Sequence, residues 1–370
     1  MTKNTSVRFV LWVACLAMLA APRVVRAEKT APPKATAKLE GQTLWYDCKG
    51  IGVEGKGWTD TLSFYDRLPA KAQDKAPPPV WSLSHLSAGL CVRFTTDAPS
   101  IQVRWKLLGN DAAALPHMPA TGVSGTDFYV KHPSGRWDFV GNGRPLAGAN
   151  TASFTVPAGA QYLLYLPLYN GVKSVEIGIP QGRKITAVAA STHRRPILIY
   201  GTSITQGGCA SRPGMAWTSI VGRRLDTPVI NLGFSGSGKM EPAMAELLAE
   251  LDPSVYVLDC IWNMSPEQVS ERVVPFVEKL RAAHPNTPIL LAEDSSFANQ
   301  CPTPKGRLLR AAYQKLTAAG VKNLHFLSSQ DMLGDDGEGT VDGCHPTDLG
   351  MMRMAEAFVK ALRPLFTTLR

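Results

Sequence analysis

Charge is scarce in this chain: only 19% of its 370 residues are charged, and 8% are aromatic. With 45% hydrophobic residues the composition is globular, which excludes a disordered tail, a collagen and a coiled coil. Cysteines number seven and none falls in a Cys-x-x-Cys pair, so neither a zinc ribbon nor a thioredoxin-like site is indicated. The histidines show no His-Glu-x-x-His or His-x-x-Glu-His spacing, and no metal or cofactor is expected. No Gly-Lys-Ser/Thr follows the glycine-rich stretch 233–238, which argues against a phosphate loop. Only one apolar run approaches membrane length, and it lies at the extreme N-terminus. The formal charge is +9, yet without Lys3, Arg8, Arg23 and Arg26 the remainder is 35 basic against 30 acidic residues. No basic stripe or RNA-reading motif accompanies that mild excess, so no nucleic-acid partner is expected.

The N-terminal run reads as an address. Lys3 and Arg8 precede the 13 apolar residues Phe9 to Ala21, and Val25-Arg26-Ala27 offers a cleavage site before Glu28. Thirteen residues are short for a bilayer, where about 20 are needed. The expectation is a signal peptide at 1–27, a Pro/Ala/Lys-rich linker at 28–39, and export to the periplasm or medium without a remaining membrane span. Cys48, Cys91, Cys209, Cys260, Cys301 and Cys344 then remain. Their pairing and the oligomeric state stay open, and Cys260, inside an apolar run, is expected to be a buried free thiol.

Two textures follow. Residues 40–192 hold short alternating runs such as Ile101-Gln-Val-Arg-Trp, Tyr162-Leu-Leu-Tyr-Leu and Val175-Glu-Ile-Gly-Ile. Turn signals lie at Pro133-Ser-Gly, Gly141-Asn-Gly and Tyr169-Asn-Gly. This pattern predicts an all-β sandwich or jelly roll. Residues 193–370 hold continuous apolar runs, Pro196-Ile-Leu-Ile-Tyr and Ser254-Val-Tyr-Val-Leu among them. Helical patterns at 215–225, 239–250, 265–284, 303–319 and 346–367 alternate with these runs. A parallel three-layer α/β/α domain of flavodoxin-like type is predicted, with its chemistry at the carboxyl ends of the strands.

Those ends carry chemistry-bearing residues. The first run ends in Gly201-Thr202-Ser203-Ile204-Thr205, a serine at a strand exit. The second ends in Asn231-Leu-Gly-Phe-Ser-Gly236, whose turn offers backbone N–H groups for an oxyanion. The third leads to Ile261-Trp-Asn263, a side-chain amide at a strand end. Asp342-Gly-Cys-His345 precedes the last helix, and a carboxylate three residues before an imidazole can fix its tautomer. Each block alone reads equally well as a turn or a helix cap; four in one domain point to a nucleophile, donors and an acid–base pair.

These four blocks resemble those of the SGNH (GDSL-like) hydrolases, across about residues 195–368. The resemblance implies that Ser203 is the nucleophile and that Asp342 and His345 complete a triad. It also implies oxyanion donors at the Ser203 N–H, the Gly236 N–H and the Asn263 side chain. Thr202 stands where Asp is usual in GDSL sequences, and Ile261-Trp-Asn-Met replaces Gly-x-Asn-Asp; both departures concern pocket shape. Ser124-Gly-Thr-Asp-Phe-Tyr129 and Tyr165-Leu-Pro-Leu-Tyr-Asn-Gly171 resemble the β-sandwich domain with a GxDLY motif that precedes some SGNH hydrolases, with Phe128 replacing Leu.

The implied activity is acyl-enzyme hydrolysis of short, acetyl-type esters, most naturally of a carbohydrate. Activity is expected to fall below about pH 6.5, where the imidazole protonates. The alternatives are an SGNH lipase or thioesterase acting on longer chains, and a non-catalytic carbohydrate-binding protein. Trp58, Trp81, Trp105, Trp137 and Trp262 are expected to serve mainly as sandwich core. His117, in the Gly/Pro loop 109–126, is a candidate to reach the neighbouring site.

Overall fold

The alternating runs fold as strands because alternation gives each one an apolar and a polar face. The structure, a computed structural model, describes residues 36–109, 113–146, 148–188 and 195–367. The expected signal peptide, most of the linker and the 192/193 boundary lie outside them. The N-terminal half contains β1 (Ala37–Glu40), β2 (Thr43–Asp47), α1 (Cys48–Ile51), α2 (Pro78–Ser84), β3 (Cys91–Thr96), β4 (Ser100–Leu107), α3 (Ala120–Val123), β5 (Thr126–Lys131), β6 (Trp137–Gly143), β7 (Ala149–Thr155), β8 (Gln161–Tyr165), β9 (Val172–Pro180) and β10 (Ile185–Ala187). They form two five-stranded antiparallel sheets, ordered β1-β2-β9-β4-β7 and β10-β3-β8-β5-β6. In β4 the inward residues are Ile101, Val103, Trp105 and Leu107, which join Phe94, Phe128 and Tyr162 in the sandwich core.

Two expectations are corrected here. Gly141-Asn-Gly143 is no turn; it ends β6, with a register shift opposite Phe128 and Tyr129. Its glycines admit neighbours: a Cβ on Gly143 would lie 2.6 Å from the Trp105 ring, and one on Gly141 would lie 3.1 Å from Phe154. The linker expected to run to 39 ends earlier, because Ala37 to Glu40 pair with β2, Leu39 opposite Leu44.

The second half contains β11 (Ile197–Gly201), α4 (Ser203–Gln206), α5 (Trp217–Leu225), β12 (Val229–Gly233), α6 (Pro242–Leu248), β13 (Val255–Asp259), α7 (Pro266–Ala283), β14 (Ile289–Ala292), α8 (Pro304–Ala318), β15 (Leu324–Leu327) and α9 (Asp348–Thr367). Its five strands are parallel, in the order β12-β11-β13-β14-β15. The chain leaves β11 for β12 on one side and returns to β13 on the other, so the strand order reverses at β11, where open α/β sheets bind ligands. Every residue of β11 and β13 is buried, as helices on both faces require. Ser265 caps α7 in a full capping box with Gln268. Among the described residues no helix is long and apolar enough to cross a membrane. The six described cysteines are free, and Cys260 is buried.

The two halves share their cores. Trp58, Leu68 and Val80 from the N-terminal half pack with Tyr200, Phe234 and Phe276 on one face of the parallel sheet, and Trp81 lies against the same cluster. Trp58 and Trp81 are therefore not sandwich core; Trp105 is. Met118, Val123 and Leu168 join the other face, beneath α5 and α9. Arg67 fastens this seam. Its guanidinium is 1% exposed and donates to the carbonyls of Leu83, Leu86, Asn231 and Gly233 at 2.7–3.2 Å. Burial pushes its pKa down to about 9.

Replacing Arg67 by Met removes the donor and leaves those carbonyls unpaired in the interior. At about 1–3 kcal/mol for a buried unsatisfied group, the expected loss is about 3 kcal/mol or more. A urea midpoint within error of the parent would contradict the role assigned to the seam.

Candidate active site

Ser203 stands where β11 stops. Thr202 caps α4, its hydroxyl accepting from the Ile204 N–H at 3.3 Å, and Ser203 is the first helical residue, so its own N–H has no partner within the helix. Four hydrogen bonds fix α4 from below and from the side. Thr205 Oγ1 donates to Asp259 Oδ2 at 2.7 Å, and Asn231 Nδ2 donates to Thr205 O at 2.8 Å. Gln206 accepts from the Ser235 N–H at 2.9 Å and donates to Leu168 O at 3.1 Å. Asp259 is buried at the end of β13, and desolvation pushes its carboxyl up to about 7.

His345 reaches Ser203 from the turn before α9. Its Nε2 lies 2.9 Å from Ser203 Oγ, and its Nδ1 lies 2.8 Å from Asp342 Oδ2. The other Asp342 oxygen accepts from the Cys344 and His345 N–H groups at 3.0 and 2.8 Å, which locks carboxylate and imidazole on one turn. Burial opposes ionisation of Asp342, but these bonds together hold its carboxyl below the usual range. The His345 imidazole is pushed up to about 9, by its hydrogen bond to the Cys344 side chain first and by Asp342, against the effect of burial. The direction is upward, away from the value of 6.5 expected for an unperturbed histidine.

The glycine-rich turn after β12 folds over α4. Gly236 has φ +66 and open space on its Cβ side; Gly238 has φ +70, and a Cβ there would lie 2.0 Å from Gly201 O. Asn263 closes the short turn after β13, and its Nδ2 donates to Ser237 O at 2.8 Å. One amide proton is used in that bond and one remains. Ser203, the Gly236 turn, Asn263 and His345 thus meet through direct or single-residue links at the ends of β11, β12 and β13.

Residues of the first half border the same place. The His117 ring lies 5.4 Å from the His345 ring, and Tyr169 donates from its hydroxyl to Ser203 O at 3.2 Å. Trp262 donates its indole N–H to Cys344 Sγ. Tyr169 lies in the Tyr165–Gly171 motif, but nothing local there signals a contact with a serine 34 residues on. Side chains of metal-binding type do gather here: His117, Cys209 and His345, and also Asp342, Cys344 and His345, offer atoms within 4.8 Å of one another. Both sets draw on His345, whose two nitrogens already face Ser203 and Asp342. The donor set fits proton transfer.

Fold and site define a hydrolase of ester bonds. The chain belongs to the GDSL-like Lipase/Acylhydrolase family, whose profile matches residues 194–363. Residues 43–185 match the GxDLY profile, the N-terminus of Esterase_SGNH_hydro-type. A Bacteroides ovatus protein assigned as a GDSL-like lipase is 34% identical, with 88% of this chain and 98% of that one covered and a TM-score of 0.80. The salicylyl-acyltransferase SsfX3 of a tetracycline biosynthetic pathway shares the fold at 19% identity, with 90% and 94% covered and a TM-score of 0.66. So does the acetyl xylan esterase Est2A of Butyrivibrio proteoclasticus, at 12% identity, with 87% and 99% covered and a TM-score of 0.54. No curated protein matches the chain by sequence.

Asp342→Asn removes the negative charge beside His345 Nδ1 and keeps the side chain's shape. The His345 pKa is expected to fall, as read by NMR titration of its imidazole; an unmoved midpoint would rule out Asp342 as a source of the shift.

Proposed function

We propose that the protein is an exported serine esterase that removes short acyl groups, acetyl above all, from a carbohydrate. The observation that carries the chemistry is the Ser203–His345–Asp342 chain, with links of 2.9 and 2.8 Å. His345 takes the Ser203 proton as Oγ attacks the ester carbonyl, and Asp342 stabilises the imidazolium that forms. The tetrahedral oxyanion is held by the N–H groups of Ser203 and Gly236 and by the remaining Asn263 amide proton. Its collapse expels the alcohol, which receives the proton from His345. Water, activated by the same imidazole, then hydrolyses the acyl-enzyme.

Export is supported by the basic and apolar pattern of residues 1–27. The carbohydrate reading is supported by esterases of this fold, the acetyl xylan esterase above and a Clostridium thermocellum family two carbohydrate esterase in complex with cellohexaose (14% identity, TM-score 0.52).

The deciding experiment compares parent and Ser203→Ala on p-nitrophenyl acetate, butyrate and longer esters, then on acetylated oligosaccharides. The expected result is turnover of acetate by the parent and background rates for the variant. Equal activity of the two would exclude Ser203, and preference for long chains would favour a lipase. Asn263→Ala is expected to lower kcat by about 10²–10³, the usual effect of losing one oxyanion donor.

The pH dependence follows from the raised His345 value. The base must be neutral, so blank-corrected kcat/KM rises with pH through the free enzyme's imidazole pKa. The midpoint is expected above 6.5 and up to about 9. A profile already flat from pH 6 upward would contradict the raised value.

A further inference from the structure

The Ser124–Tyr129 motif takes no part in the chemistry proposed above, yet its carboxylate is buried where the two halves meet. Asp127 in β5 is fully buried. Its Oδ2 accepts from Arg212 Nη1 at 2.7 Å and from the Gly214 backbone N–H at 2.8 Å. Tyr129, two residues on, completes the grip. Its hydroxyl accepts from Arg212 at 2.5 Å, and Arg223 of α5 lies 4.2 Å over its ring while donating to Gly214 O at 2.7 Å. Gly214 fits only without a side chain, since a Cβ would lie 2.3 Å from the Tyr129 hydroxyl.

The segment held in this way, 207–216, connects both ends of the Ser203–His345 contact. At its start the N–H groups of Gly207 and Gly208 donate to Ser203 O at 3.0 and 2.8 Å. A Cβ on Gly208 would lie 3.1 Å from the His345 ring. Next to Arg212, Ser211 donates from its N–H at 2.9 Å and from its hydroxyl to the Asp348 carboxylate. Asp348 opens α9, three residues after His345. A continuous set of bonds therefore runs from β5 through Arg212 and Ser211 to the start of α9, three residues beyond the imidazole.

Burying this pair costs stability relative to apolar packing. Asp127 Oδ1 has no hydrogen-bond partner among the described residues, which adds to that cost. What a buried carboxylate oxygen held by one guanidinium nitrogen and one backbone N–H provides is a fixed register between two surfaces.

We propose that Asp127 is a positioning residue: by anchoring segment 207–216 it sets the distance between Ser203 Oγ and His345 Nε2. The inference rests on the reading of that pair as catalytic. The motif of the β half is then part of how the esterase is assembled, because a displacement of about 1 Å at a reacting pair lowers a rate up to 10²-fold without weakening substrate binding.

The test is Asp127→Asn in the full chain, which keeps the shape and removes the charge. Kinetics on p-nitrophenyl acetate are expressed per site titrated with a fluorophosphonate, and folding is followed by far-UV CD melting. The expected result is a cooperative melt, KM within about twofold of the parent and kcat lowered about tenfold. Ser211→Ala, at the other end of the relay, is expected to shift kcat the same way by a smaller factor; it decides the matter alone if Asp127→Asn does not fold. Unchanged kcat per site, or a raised KM at unchanged kcat, overturns the proposal. Ser203→Ala, run in parallel, separates the two readings: if it stays active the catalytic assignment has failed, and if it is dead beside an unimpaired Asp127→Asn only the positioning role has.

Discussion

The site depends on backbone meeting backbone. At the carboxyl edge of the parallel sheet, the end of β12 lies directly on α4: a Cβ on Gly233 would be 2.1 Å from the Gln206 nitrogen. The turn that follows lies on the end of β11, where Gly238 approaches Gly201 O as closely. No side chain fits between these layers, so the two strand exits and the short serine helix form one rigid body. Hydrogen bonds from Ser235 to Gln206 and from Asn263 to Ser237 then fix on it the turns that carry the proposed oxyanion donors. Preorganised donors are effective because they need not reorganise as charge develops, and close backbone contact is a direct way to achieve that.

The first half is built into this arrangement. Arg67 crosses from the N-terminal half to the Asn231 and Gly233 carbonyls at the end of β12. Leu168 gives its carbonyl to Gln206 beneath the serine, and Tyr169 reaches the Ser203 carbonyl itself. Such contacts explain why apolar residues from both halves mix in the clusters on either face of the parallel sheet. A serine helix only one turn long holds its place through neighbours, since so short a helix has little stability of its own.

Much of this was legible in the sequence. Alternating runs and buried continuous runs separated the antiparallel sandwich from the parallel sheet, because each pattern follows from how many faces of a strand are covered. The four blocks carrying Ser203, Gly236, Asn263 and His345 could be found because open α/β sheets present ligands at strand ends. What stayed hidden was non-local. Gly141-Asn-Gly143 reads as a turn in isolation, and only the Trp105 and Phe154 rings above it reveal why glycine is there. Trp58 looks like sandwich core until the chain is seen to cross onto the other sheet. The His345 shift depends on Cys344 and on the Asx turn of Asp342, a geometry that spacing alone does not define.

The two aspartates near the serine show how one side chain type is given opposite properties. Asp342 has a side chain 38% exposed and accepts from two backbone N–H groups and the imidazole, so its charged form is stabilised. Asp259 is fully buried, and its carboxyl meets a single hydroxyl, Thr205, with Asp294 raising it further. Only a group that keeps its charge at the working pH can offset the positive imidazolium of the proposed mechanism, which suits Asp342 and not Asp259. Asp259 can accept the Thr205 proton in either ionisation state, because a protonated carboxyl retains acceptor oxygen. The support under the serine is thereby insulated from the same pH change that governs the proposed base, His345.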